Sequence, residues 1–308
     1  MRYGFIGLGR LGAYLAASLH RKGFEVTVHD RNKMAAKRLL DAGAGWADTA
    51  KSCATVCDAV ITCLPSPAAS RSVLTGENGV LDGLRSGGTW IEMSTNDRNE
   101  IERIAALAAT KGIATLEAPV TGGVHKAAAG EITVLVGGDA AVYRTHLPAL
   151  QAMGGKVFHM GPLGKASVIK VITNMLAFIH LVAVGEALML AKKGGLDLAQ
   201  VFEAIKASSG NSFVHETESQ VILNGSYNIG FTMDLACKDL GFAHQFGREF
   251  GVPLELAGMT EQIFRRAQTQ YGGQAWSSQV VKLLEDALHT ELRAPGFPAV
   301  LEGATLEG

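Results

Sequence analysis

Gly7-Leu8-Gly9-Arg10-Leu11-Gly12 constrains this chain more than any other stretch. The glycines join an apolar run, Tyr3–Ile6, to a helical pattern over Leu11–Lys22, so they mark a strand turning sharply into a helix. Gly7 allows the tight turn, Gly9 leaves the backbone open to close approach, and Gly12 lets helix and strand pack closely. The free amides at the helix start, Leu11 included, then face a pyrophosphate. Glycines at this spacing also serve simple turns. The strand before and the helix after favour the ligand reading.

Short β-rich runs and helical patterns continue to alternate through the first half. Glu25–His29, Ala59–Leu64, Thr89–Met93, Thr115–Ala118, Ile132–Val136 and Lys156–His159 read as strands, and Lys33–Ala42 and Arg98–Lys111 as helices. Continuous apolar strands separated by helices predict an α/β, doubly wound parallel sheet of Rossmann type, covered on both faces. Gly161-Pro162-Leu163-Gly164 is a turn-rich break. Beyond it the pattern is helical only: one long helix to about Lys193, then 197–207, 232–250, 254–271 and 276–289. The expected organisation is a dinucleotide-binding domain over 1–163 and an all-α domain with one long central helix over 164–308. The residues from Arg293 onward, with Pro295, Gly296, Pro298, Gly303 and Gly308, read as a loose tail.

A chain of 308 residues, 47% apolar and 19% charged, can bury two cores and is not disordered. Its 28 basic residues nearly balance 29 acidic ones without a Lys/Arg run, which argues against nucleic-acid and membrane-surface partners. Cys53, Cys57, Cys63 and Cys237 form neither a C-x-x-C pair nor a zinc-spaced cluster, so reduced thiols in a cytoplasmic protein and no metal site are expected. Met1–Gly23 superficially has the make-up of a signal peptide, but its glycines fit the turn better. Val171–Ala191 is apolar over about one membrane thickness. It carries Asn174, His180 and Glu186, and reads as a helix buried in a domain core or subunit interface.

Asp30, at the end of the second strand, follows Gly9 by 21 residues. An acid there binds the adenosine ribose hydroxyls and repels a 2′-phosphate. Arg31 pulls the other way, since a guanidinium binds that phosphate or stacks on adenine. NAD is favoured, with NADP left open. In such sheets ligands bind beyond the carboxyl ends of the strands, where Leu64-Pro65, Ser94-Thr95 and Pro119–Gly123 fall. Thr95 serves equally as a helix cap.

Lys170 is the candidate proton-exchanging group. It lies early in an otherwise apolar helix, just past the domain break and expected at the cleft. Burial among Val168, Ile169, Val171 and Ile172 disfavours its charged form. The plainer alternative is a lysine snorkelling from a helix end. Asn174, one turn later on the same face, is either its polar companion at a ligand or a satisfied core amide. Thr121-Gly122-Gly123 offers a hydroxyl and amides without side-chain cover, suited to a carboxylate, though such a turn can be only a turn. The nine histidines show no triad; His125 alone lies beside this loop.

These blocks, Gly7–Gly12, Ala118–Gly123, Gly164–Asn174 and Asp234–Leu240, resemble in order those of the β-hydroxyacid dehydrogenase family, from Tyr3 to about Asp286. That family includes 3-hydroxyisobutyrate dehydrogenases, tartronate semialdehyde reductases and relatives of 6-phosphogluconate dehydrogenase. The resemblance implies hydride transfer between NAD(H) and a small β-hydroxy acid or its semialdehyde. It makes Lys170 the acid/base, with Thr121, Gly122, Gly123 and Asn174 on the substrate and Leu64, Pro65, Thr95 and Lys238 on the dinucleotide. It also implies a homodimer or homotetramer packed through the all-α domain. Thr121 stands where the family usually has Ser, Ala166 where Gly is frequent, and Thr173 where a second Asn is common. Two competing readings, an imine reductase and a non-catalytic scaffold of the same fold, both fit a chain lacking a lysine at position 170 better than this one.

Overall fold

Side chains alternate along β1 (Arg2–Ile6): Tyr3 and Phe5 face one way, Gly4 and Ile6 the other, and all are buried. A strand apolar on both faces belongs inside a covered sheet. The computed structural model describes residues 1–302. It divides into two units, Met1–Lys170 and the residues from Val171 onward.

In the first unit β1 is followed by α1 (Gly12–Arg21), β2 (Glu25–His29), α2 (Lys37–Asp41), β3 (Gly45–Trp46), α3 (Ala50–Thr55), β4 (Ala59–Thr62) and α4 (Pro67–Thr75). Then come β5 (Thr89–Glu92), α5 (Arg98–Thr110), β6 (Ala114–Glu117), β7 (Val120–Thr121), α6 (Gly123–Ala129), β8 (Thr133–Gly138), α7 (Ala140–Met153) and β9 (Lys156–Gly161). The strand order is β3-β2-β1-β4-β5-β6-β8-β7, with β9 beside β8. Phe5, Val28, Ile61, Ile91 and Leu116 pack with Leu15 and Leu19 of α1 and Leu150 of α7 on one face. Ile6, Val60 and Trp90 pack with Leu74 of α4 and Ile104 of α5 on the other. The stretch Met1–Gly23 thus supplies the sheet's central strand and first helix.

The sheet is Rossmann-like but mixed, a correction to the wholly parallel expectation. Strands β3 to β6 are parallel, whereas β8 runs antiparallel to both β6 and β7. A parallel return needs a crossover passing over the sheet. Residues 118–132 instead turn through β7 and the short α6, and β8 starts back at the end of the sheet where β6 finished. The helix expected over Lys33–Ala42 opens as a 3-10 turn, Lys33–Ala36, before α2, with the Asn32 side chain accepting from the Met34 amide.

The long helix α8 (Lys165–Lys193) leads into the second unit, followed by α9 (Leu198–Lys206), α10 (Phe213–Asn224), α11 (Met233–Phe250), α12 (Glu255–Tyr271), a 3-10 segment Ser277–Val281 and α13 (Lys282–Leu288). Phe178, Leu181, Leu188, Ile222, Leu240, Phe264 and Val281 form the core. Gly185 lets the Val281 segment lie against α8: a Cβ there would stand 2.7 Å from Val281 Cγ2. By length and composition α8 is apolar enough to cross a membrane. One side carries core residues, while Ile172, Leu176 and Leu190 are exposed.

The residues from Arg293 are not a loose tail as far as Glu302. The Ala294 amide donates to the Leu223 carbonyl, the Asn224 side chain to the Phe297 carbonyl, and the Ser226 hydroxyl to the Ala299 carbonyl. Arg293 pairs with the buried Glu285 at 2.8 Å and donates to the Tyr227 hydroxyl, while Leu292 and Leu301 are buried. Prolines and glycines remove helix and strand patterning without preventing a segment from docking through its carbonyls and apolar side chains. Gly303 and Gly308 lie outside the described residues.

Candidate active site

At the head of the sheet, Gly7 has φ +96°, and a Cβ on it would lie 2.3 Å from the Cys63 carbonyl oxygen. A Cβ on Gly12 would lie 2.0 Å from the Gly7 carbonyl oxygen. Both positions therefore require glycine. A Cβ on Gly9 would meet nothing within 4 Å, so its backbone faces open space. No side chain caps α1, whose N-cap is Leu11. A glycine loop with open space above it and an uncapped helix start suits a dinucleotide pyrophosphate.

Asp30 is wired to this loop. Its Oδ2 accepts from the Leu8 amide at 2.7 Å and its Oδ1 from the Asn32 amide at 2.8 Å. The carboxylate is thus held where β2 ends, beside the glycines, while Arg31 is exposed.

The loops after β4 and β5 are organised by a residue that the sequence did not single out. Glu92, the last residue of β5, is fully buried, and burial pushes its carboxyl above the ordinary range against hydrogen bonds from Ser94 that favour the charged form. It accepts from the Ser94 amide at 2.9 Å and from the Ser94 hydroxyl, and that hydroxyl accepts from the Leu64 amide at 2.7 Å. Leu64-Pro65 and Ser94-Thr95 are therefore tied into one rim.

Its register partner on β6, Glu117, is equally buried. Glu117 reaches α8 rather than its own loop. Oε1 accepts from the Ala166 amide at 2.8 Å, and Oε2 accepts from the Ser167 amide at 3.1 Å and from the Ser167 hydroxyl. Burial raises this carboxyl too, with the Ser167 and α8 donors pulling the other way. Beyond β6, Gly122 and Gly123 have φ +124° and +86°, a backbone that side chains rarely adopt. A Cβ on Gly123 would lie 3.1 Å from the His125 ring, so that imidazole lies close beside Gly123, and burial holds its pKa below the usual value.

Lys170 is 7% exposed and Asn174 9%. In the second unit the Asn174 side-chain amide donates to Asp239 Oδ2 at 2.6 Å, and Asp239 Oδ1 lies 2.9 Å from Lys238 Nζ. The buried Asp239 thus links two residues that the sequence had proposed separately. Its signal, an acid inside the Lys238-Asp239-Leu240 block, passed unused. Glu92 and Glu117 gave a fainter one: an acid closing an apolar strand.

Residues 2–161 match the family described as the NAD binding domain of 6-phosphogluconate dehydrogenase, and residues 164–284 that described as NAD-binding of NADP-dependent 3-hydroxyisobutyrate dehydrogenase. The chain is 33% identical to a 2-(hydroxymethyl)glutarate dehydrogenase of Eubacterium barkeri over 92% of its own length and 95% of that protein's. The chain belongs to the β-hydroxyacid dehydrogenase family. A second member, an L-threonate dehydrogenase of Cupriavidus necator, is 33% identical, with 91% of this chain and 95% of that one covered. The solved 3-hydroxyisobutyrate dehydrogenase of Salmonella typhimurium superposes with a TM-score of 0.85 at 32% identity, covering 92% of this chain and 99% of that one. As a β-hydroxyacid dehydrogenase, the protein is an NAD(P)-dependent oxidoreductase acting on a CH–OH group.

Proposed function

We propose that this chain interconverts a small anionic β-hydroxy acid and its oxo acid with NAD(H), and that Lys170 exchanges the hydroxyl proton. The observation that carries the reading is a lysine 7% exposed, one turn past the amides that Glu117 holds, on a mostly apolar helix. A lysine held in one place beside the substrate hydroxyl can serve as its general acid and base. The substrates named for the three relatives above, 2-(hydroxymethyl)glutarate, L-threonate and 3-hydroxyisobutyrate, each carry a hydroxyl on the carbon β to a carboxylate.

The dinucleotide, when bound, supplies a hydride acceptor for oxidation and a donor for reduction. Gly7, Gly9, Leu11 and Gly12 hold its pyrophosphate, Asp30 and Arg31 its adenosine end, and Leu64, Pro65, Thr95 and Lys238 the remainder. Thr121, Gly122 and Gly123 receive the substrate carboxylate through a hydroxyl and amides uncovered by side chains. Asn174, fixed by Asp239, orients the substrate beside Lys170.

The test is a panel of small β-hydroxy acids and their methyl esters, followed by NADH absorbance. An ester leaves the cradle's donors facing an uncharged group, at about 1–3 kcal/mol for each buried donor left unpaired. The ester of the best acid is therefore expected to lose at least about tenfold in kcat/KM. Equal turnover of acid and ester sinks the carboxylate cradle, and no turnover of any acid sinks the substrate class.

A further inference from the structure

We propose that Glu117 is a positioning residue: it caps the first turn of α8 from the end of β6 and so fixes Lys170 relative to the Thr121–Gly123 loop. The proposal rests on the reading of Lys170 given above.

Three donors converge on one buried carboxylate, the Ala166 and Ser167 amides and the Ser167 hydroxyl. Helix caps normally come from the residue just before the helix. Here the acceptor lies about fifty positions earlier in the chain, on a strand, and the fold makes room for it. Gly137, paired with Glu117 across the sheet, is a residue whose Cβ would lie 2.3 Å from Glu117 Oε1. Any side chain at Gly137 would displace the carboxylate.

Ala166 and Ser167 precede Lys170 by four and three residues, so all lie on one face of the helix. What fixes the first turn therefore fixes the lysine's height and rotation. On the other side, Ala118, Pro119 and Val120 separate Glu117 from Thr121. That link is stiff: the Ala118 amide donates to the Glu92 carbonyl at 2.6 Å, and the Pro119 carbonyl accepts from Leu135 at 2.9 Å. Thr121 itself pairs with Thr133 in β8. A continuous hydrogen-bonded path thus runs from the substrate loop through Glu117 to the turn that carries Lys170. Glu92, its neighbour across the sheet, serves the Leu64 and Ser94 loops in the same manner.

Glu117→Gln keeps the size but turns an amide donor toward amide donors. A misplacement of roughly 1 Å can cost about 10²-fold in rate. We expect Glu117→Gln to lower kcat at least about tenfold while KM for NAD stays within about threefold, with Ser167→Ala showing a smaller loss in kcat. Glu117→Gln/Lys170→Ala should be no slower than Lys170→Ala alone, because the two act through one group. Independently of any substrate, hydrogen exchange at the Val168–Lys170 amides should quicken in both Glu117→Gln and Ser167→Ala.

Wild-type exchange rates in Glu117→Gln overturn the capping. Wild-type kcat in the Glu117 and Ser167 variants, beside a slow Lys170→Ala, overturns positioning and leaves Lys170 in place. A fast Lys170→Ala overturns the reading of the lysine instead. Should Glu117→Gln fail to fold, Ser167→Ala decides by the same measurements.

Discussion

Asp30 follows β2 and meets the glycine loop. Its two oxygens are anchored by the Leu8 and Asn32 amides, so the charge stands at a fixed point beside the glycine loop. Like charges brought together in a binding site cost several kcal/mol, and a 2′-phosphate would have to approach that point. NAD should therefore give the higher kcat/KM, and Asp30→Asn, which keeps one acceptor oxygen, should shift the NAD to NADP ratio toward NADP by roughly ten- to a hundredfold. A wild-type preference for NADP would hand the decision to the exposed Arg31. The place of Asp30 beside the glycine loop could be read from the sequence because its distance from Gly9 is set by one helix and one strand of standard length. Glu117 could not, since its partners lie about fifty positions away and a lone acid at a strand end looks like a solvated exit. Asp239 was hidden for the same reason: its link to Asn174 exists only once two helices are packed together.

Among the elements, α10 departs from a simple apolar pattern. His215 and Ser219 lie fully buried on it; the His215 ring donates to the Phe202 carbonyl at 2.9 Å, and the Ser219 hydroxyl bonds the same ring at 3.2 Å. Polar residues on the inner face are why no helical period could be read there. The α4 helix escaped for another reason, being built of small residues whose boundary is set by Ser66 accepting from the Ala69 amide. The strands were legible because β1, β4 and β5 are apolar on both faces, but the direction of β8 depends on pairing that no local pattern records. Glu218, also on α10, has a buried Oε2 without a hydrogen-bond partner, and burial lifts its carboxyl to about 8. An unfolded carboxyl titrates near about 4.3. Between those values the folded chain keeps a proton that the unfolded chain has released, so stability falls as pH rises through that window and is level on either side. Glu218→Gln, which mimics the protonated acid, should raise stability at pH ~8 by about 1–3 kcal/mol and make little difference at pH ~4. Melting curves at the two pH values check this; an equal shift at both would show that the carboxyl is not the cause.

At the scale of the whole molecule, an apolar line runs along the exposed side of α8, beside the exposed His180 and Glu186. Leu176, Ala183 and Leu190 recur every seven residues along it, with Ile172 one turn before, and Leu190 is 77% exposed. A heptad of apolar residues on a helix is a seam for another helix. We propose that a second copy of α8 covers it, in a homodimer or homotetramer. Light scattering should give a multiple of 32.4 kDa for the wild type and a smaller particle for Leu190→Glu; a monomeric wild type refutes the pairing. The docked residues after Arg293 carry a different consequence, one of timing. The first unit has all its strands once Gly161 is made, and Glu117 has its partners once Ser167 is made. The second core lacks Leu292 until that residue is added, and the buried Glu285 lacks its cation until Arg293 is. Domains fold as units, the N-terminal one first, while the chain is still being synthesised. The nascent protein therefore passes through a stage in which the glycine loop is already shaped while α8, with its apolar seam, still waits for the residues that complete its own side of the core.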